Sequence, residues 1–139
     1  MNTKDKIIKT TIDLLLEKGF HGTRINEILK RSKISKGSLY YYFPEGKEQL
    51  CKECLKLFTI KLSLEYKKLF TNAANLEDGL HRIITYTKDK IEQAKYATGS
   101  LLINVSQEID SDNKEIQKLC KELFELIITT IESFFFQYS

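Results

Sequence analysis

The sequence predicts an all-α protein: an N-terminal three-helix unit of helix-turn-helix type followed by a longer helical body. Three observations predict it. Apolar residues recur at a period near 3.6 along most of the chain, with no sustained alternation of period two. One proline and six glycines in 139 residues leave few breaks, which favours long helices. One short segment, Ser35 to Tyr42, starts with a helix-capping hydroxyl and then crowds a cation, small polar groups and three phenols into about two turns.

The elements follow in order. Lys4 to Lys18 carries a stripe of Ile7, Ile8, Thr11, Ile12, Leu15 and Leu16. Gly19 is placed to end this helix in a left-handed C-cap, with Phe20 as the accompanying hydrophobic contact. Thr23 is expected to cap a second helix that turns Ile25, Ile28 and Leu29 inward. Ser32-Lys33-Ile34 is a tight connection, and Ser35 opens the third helix. Only Leu39 and Phe43, four apart, anchor that helix to the domain beneath. Its other side shows Lys, Ser, Gly and Tyr, a poor surface for a core. It suits a DNA major groove, where hydroxyls and ammonium groups meet base edges and phosphates. Two short helices joined by about four residues form a helix-turn-helix whose second member reads the duplex.

A long helix is expected from Glu45 or Gly46 to about Phe70. Leu50, Cys54, Leu57, Phe58, Leu62, Tyr66, Leu69 and Phe70 form its apolar side. Thr71 to Asn75 reads as a loop, with Asn75 capping a helix from Leu76 to Ala94 whose inward residues are Leu80, Ile83, Ile84, Thr87 and Ile91. A break follows from Lys95 to Ser100, centred on Gly99. Leu101 to Ser111 forms a short, very apolar helix, and Asp112 with Glu115 three residues on has the form of a capping box. The last helix is apolar nearly all round, from Ile116 to Phe136, and must be covered on most sides. Few earlier residues remain to cover Phe134, Phe135 and Phe136. The expectation is therefore that further C-terminal helices are missing from this chain, or that a partner subunit lies there.

Composition narrows the function. The net charge of +3 hides an asymmetry: residues 1–70 contain 15 Lys+Arg against 8 Asp+Glu, and residues 71–139 contain 7 against 11. A basic front and acidic rear suit a protein that presents one end to a polyanion. No apolar run approaches the roughly 20 residues of a membrane span, and the charged start does not read as a signal peptide, so the expected compartment is the cytoplasm. Cys51 and Cys54 have C-x-x-C spacing but fall in a helical pattern. With Cys120, His21 and His81 scattered, no metal site is expected, and the thiols read as structural, with a redox switch the lesser alternative. No catalytic set or phosphate loop can be assembled from two histidines and scattered glycines. No enzyme activity and no cofactor are expected.

Taken together, Gly19-Phe20-His21-Gly22-Thr23, Ile25-Asn26-Glu27-Ile28 and Ile34 through Phe43 resemble the N-terminal domain of the TetR/AcrR family of transcriptional regulators, over roughly Lys4 to Leu50. The junction Pro44 to Leu50 has one residue more than the commoner serine-lysine-glutamate form and resembles the LmrA/YxaF-like subfamily. The resemblance implies a DNA-binding domain over residues 1–46 and a ligand-binding and dimerisation domain over 47–139 that lacks its final helices. It implies a homodimeric repressor on a pseudo-palindromic double-stranded operator, released by a small hydrophobic effector. A helical interaction protein without specific DNA binding is the alternative.

The candidate base contacts are Lys36, Gly37 and Ser38, in the first turn of the recognition helix. Ser35 serves as N-cap and as a candidate phosphate contact. By the resemblance, Tyr40 lies near a base or sugar edge, Tyr41 against backbone and a thymine methyl, and Tyr42 near phosphate, where relatives often carry histidine. Thr23 and Arg24 open the second helix, where free N–H groups attract phosphate. Lys47 opens the fourth helix with the same potential, and Lys33 stands in the turn. Candidate effector-pocket residues are Phe58, Leu62, Tyr66, Tyr86, Tyr96 and Asn104, for each of which ordinary core packing is the competing reading.

Overall fold

The computed structural model describes residues 1–93 and 100–138. Seven helices are found among them: α1 (Thr3–Gly22), α2 (Ile25–Ser32), α3 (Lys36–Tyr42), α4 (Lys47–Phe70), α5 (Leu76–Gln93), α6 (Leu101–Glu108) and α7 (Lys114–Gln137). The all-α reading holds, and the helix boundaries agree with it closely in the front half. The expected break from Lys95 to Ser100 lies outside the described residues except for Ser100, which precedes α6.

One buried cluster runs through both halves. Ile7, Leu14 and Leu15 of α1, Ile28 of α2 and Leu39 and Phe43 from α3 meet Leu50, Cys51, Cys54 and Leu55 of α4. Leu101 and Val105 of α6 and Ile116 of α7 close it. The head is therefore not a separate ball on a stalk: α1 packs on α6 as well as on α2 and α4. A second, smaller cluster sits at the far end. There Phe70 stacks on Phe134 with ring centroids 4.1 Å apart, and Ala73 lies beside them. Gly79 is what lets α5 approach: a Cβ there would stand 2.0 Å from the Phe134 ring. The Tyr138 hydroxyl donates to the Ala73 carbonyl, tying the end of α7 to the same corner.

Several local expectations need correction. Gly19 does take positive φ, but at φ 76°, ψ −178° it is an extended, glycine-only conformation inside α1 rather than a left-handed cap, and the chain resumes helical geometry until Gly22. The left-handed cap occurs instead at Lys33, which ends α2 at φ 58°, ψ 44°. Asp112 does not cap α7. Asn113 precedes that helix, the Asp110 carboxylate holds the turn by accepting from the Asp112 N–H, and Glu115 pairs with Lys52 of α4 at 2.7 Å. Asn75 caps α5 as expected, its side chain accepting from the Asp78 N–H at 2.8 Å.

The largest departure is the apolar side of α5. Leu80, Ile84 and Ile91 were expected inward and are exposed, Ile84 at 66%, and Thr87 is exposed too. Of that helix only Gly79 is fully buried. The reason is geometric: α4 and α7 pack on each other and take up the core, so α5 meets them along one edge, where Gly79 and Ile83 lie against the Phe70–Phe134 corner as Ile83 was expected to, while Ile84 and Ile91 stay exposed.

Candidate nucleic-acid interface

The third helix is short and pinned from below. The Leu39 side chain is completely buried and Phe43 is 1% exposed, so both anchors seat in the main core. Ser35 caps the helix: its Oγ accepts from the Ser38 N–H at 3.1 Å and donates to the Ser38 hydroxyl at 3.0 Å. Both hydroxyls thus face one another at the helix start, with Lys36 and Gly37 fully exposed beside them. A Cβ on Gly37 would meet nothing within 4 Å.

The three tyrosines divide as their 100° separations require. Tyr41 points furthest outward and is 79% exposed. Tyr42 meets it edge to face with centroids 5.0 Å apart, which fixes the orientation of both rings. Tyr40 leans back over Gly46. Lys36, Gly37 and Tyr41 are exposed along the outer ridge of α3, and Ser38 is half-buried between them with its hydroxyl held by Ser35.

The turn leading into this helix is equally built. Lys33 takes the left-handed conformation and its side chain is exposed, the Ile34 N–H returns to the Leu29 carbonyl at 3.2 Å, and Ile34 packs against the core. Arg24 precedes α2 with no side-chain cap bond and an exposed side chain. Among the described residues no ion pair involves Arg24, Lys33 or Lys36. By contrast Lys18 and Arg31 are engaged by Glu27 and Glu17 on the α1–α2 face. That pairing draws the Glu27 carboxyl below its usual range, the Lys18 hydrogen bond being the main cause. Exposed pairs of this kind add little to stability, and they leave Arg24, Lys33 and Lys36 as the cations facing outward.

Two expected contacts are repositioned. Thr23 is completely buried. Its hydroxyl donates to the Gly19 carbonyl at 2.7 Å, and its N–H is directed to the Phe20 carbonyl at 3.3 Å. It stabilises the α1–α2 joint and offers no side chain to a phosphate. Lys47 is half-buried, with its ammonium 4.3 Å above the Phe20 ring centroid. Burial is the main cause that lowers its pKa, with nearby Arg24 adding to it. Its first role is to brace the joint through a cation–π contact.

One residue that the sequence gave no reason to single out is Glu108, at the end of α6. Its carboxylate accepts from the Phe20 N–H at 2.6 Å and from the His21 N–H at 2.8 Å. No periodicity or spacing pairs position 108 with position 20.

The cysteines are buried and free. Burial pushes the Cys51 thiol up to about 12 and Cys54 well above its ordinary value. Both are therefore protonated core residues, as a helical placement implied. No group of side chains with metal-binding arrangement occurs among the described residues.

The candidate effector residues are split. Phe58 packs against the main cluster, while Tyr66 and Tyr86 meet edge to face, centroids 6.3 Å apart, at the far end. Leu62 and Asn104 are half-buried, and Tyr96 lies outside the described residues. Two open clefts lie elsewhere. One runs between α6 and α7, lined by Ile109, Phe124 and Ile128 among others; the other runs along α5 at Ile83, Ile84 and Ile91.

A short exposed reading helix behind a tight turn, anchored to a helical body and flanked by exposed cations, defines the helix-turn-helix class of DNA-binding proteins. Residues 7–54 match the profile of the bacterial regulatory proteins of the tetR family. The transcriptional regulator LmrA of Bacillus subtilis is 44% identical over 54 residues, which cover 39% of this chain and 29% of LmrA. IcaR of Staphylococcus aureus, the negative transcriptional regulator of the biofilm operon icaADBC, is 29% identical over 159 residues, covering 98% of this chain and 84% of IcaR. The crystal structure of a TetR-family regulator from Agrobacterium tumefaciens shares the fold with a TM-score of 0.81 at 16% identity, over 97% of this chain and 72% of that one. Over residues 7–54 the chain thus carries a head similar to that of the tetR-family regulators, and LmrA and IcaR are both transcriptional regulators.

Proposed function

We propose that this protein is a repressor that binds a pseudo-palindromic DNA operator as a homodimer and is released by a small hydrophobic molecule. The observation that carries the reading is α3: two buried anchors beneath, and Lys36, Gly37, Ser38 and Tyr41 on the ridge above. In this reading Lys36 and Ser38 meet base edges, Gly37 lets the backbone come close, and Tyr41 covers a thymine methyl. Tyr40 lies near a base or sugar edge, Ser35, Tyr42, Arg24 and Lys33 position the head on the phosphates, and Lys47 does so only through the joint it braces. Residues 1–46 act as the DNA-binding domain and 47–139 as the regulatory one. Two heads then reach successive major grooves, about 34 Å apart.

The effector half of the reading rests on the resemblance to the family and on the aromatic pair Tyr66–Tyr86, with Phe58, Leu62, Tyr96 and Asn104 as further candidates. A ligand that favours one arrangement of the body shifts the population toward a head spacing that no longer fits both half-sites. Among the described residues no helix is long and apolar enough to cross a membrane, and a cytoplasmic location follows from the proposed role. The Pro44 to Leu50 junction and the resemblance to LmrA over the head support an LmrA/YxaF-like subfamily.

Selection of bound sequences from random duplexes tests the function. A palindromic consensus is expected. Lys36→Ala should then weaken binding to that consensus by about 1–3 kcal/mol. No enrichment by the wild-type protein would favour a helical interaction protein without specific DNA binding.

A further inference from the structure

We infer that Glu108 is a positioning residue for DNA recognition: from the last turn of α6 its carboxylate fixes the joint from which the helix-turn-helix departs. The inference rests on the proposed DNA-binding function.

The joint is Gly19-Phe20-His21. The extended conformation at Gly19 interrupts the helical ladder of α1, and an interrupted ladder leaves N–H groups without their usual carbonyls. The two N–H groups that follow are taken by one carboxylate 88 and 87 positions along the chain, at 2.6 and 2.8 Å. A pair of short bonds to an ionised acceptor is stronger and more directional than ordinary packing. The fit is close: a Cβ on Gly19 would lie 2.5 Å from Glu108 Oε2. The same carboxylate acts on the Lys47 ammonium, which lies over the Phe20 ring. Thr23, two residues before α2, closes back onto the Gly19 and Phe20 carbonyls. Glu108 therefore holds one side of the joint and Thr23 the other, and α2 and α3 follow directly. The angle at which α3 leaves the body is set by where the end of α6 sits.

An acid beside a DNA-binding head opposes the duplex by charge. Removing it should by charge alone strengthen binding to any DNA. A positioning role has the opposite sign for the selected operator only. The test compares full-length wild type, Glu108→Gln and Glu108→Ala at one salt concentration. The probes are the operator selected by the wild type, the same operator with its half-sites moved one base pair apart, and a scrambled duplex. Glu108→Gln keeps the volume but turns one donor toward an N–H, so it loses one of the two bonds and the charge while leaving the fold filled.

The expected result is a fall in the ratio of operator to scrambled affinity on the order of tenfold for both variants, as loss of a charge-assisted hydrogen bond implies, with scrambled binding unchanged or tighter. The preference for the original half-site spacing should shrink with it. Amide exchange at Phe20 and His21 should speed up in both variants. Unchanged ratio and spacing preference in both variants overturn the inference alone. A wild type that selects no duplex overturns the proposed function, and the positioning role with it.

Discussion

The head and the body are built by the same rule and end in opposite states. In the head, the apolar residues of α1, α2 and α3 are sealed against one another and against α4 and α6: Ile7, Leu14, Ile28 and Leu39 are completely buried, and most of what remains outside is charged, polar or tyrosine. In the body, Leu57, Ile60 and Leu64 of α4, Ile84 of α5 and Ile128 and Phe136 of α7 are about half exposed or more. Helical periodicity announces that an apolar stripe exists. It does not say whether the same chain covers it. The head leaves polar and aromatic groups for a polyanion, whereas the body leaves aliphatic faces that only another apolar surface satisfies.

The contrast is sharpest at the anchors. Leu39→Ala should destabilise the protein by about 3 kcal/mol, since the site is sealed and collapses poorly, and should abolish operator binding; chemical denaturation gives the first number. A loss below about 1 kcal/mol would mean that α3 is not pinned as described. Next, Gly19→Ala should cost about 2 kcal/mol, because a residue with a side chain is strained at this φ and its Cβ meets Glu108. Equal stability of the variant would remove the strained joint from the account of the head. Tyr41→Ala should change folding stability by less than about 0.5 kcal/mol. It should still weaken operator binding by about 1 kcal/mol or more. A thermal melt and a binding isotherm on the same sample separate the two quantities. The smallest effect belongs to the body: Ile84→Ser should alter the melting of the chain by no more than about 0.5 kcal/mol equivalent. A clearly larger drop, growing with protein concentration, would reveal that this side of α5 is covered in solution.

These differences also explain what could be read in advance. The head was legible because each signal there is local: a capping serine, a glycine, a pair of anchors four residues apart. Ser35, Leu39 and Phe43 fall where the spacing put them. The errors came where a residue's partner is distant. Thr23 looked like an N-cap from its neighbours, yet it is claimed by the carbonyl of Gly19 through a kink that propensity does not show. Lys47 looked free until Phe20 folded beneath it. Glu108 gave no signal at all, because its meaning lies in two N–H groups far away in sequence. In the body the helices were legible and their partners were not, since Leu80 and Ile84 obey a periodicity whose other half is not in the described chain.

The empty space above Gly37 has a consequence for how this protein could drift or be engineered. An alanine there meets nothing and suits a helix better than glycine, by roughly 0.5–1 kcal/mol. Heat-resistance screening run without DNA present would therefore reward filling that spot, and the winners should be sturdier molecules that have gone blind to their operator.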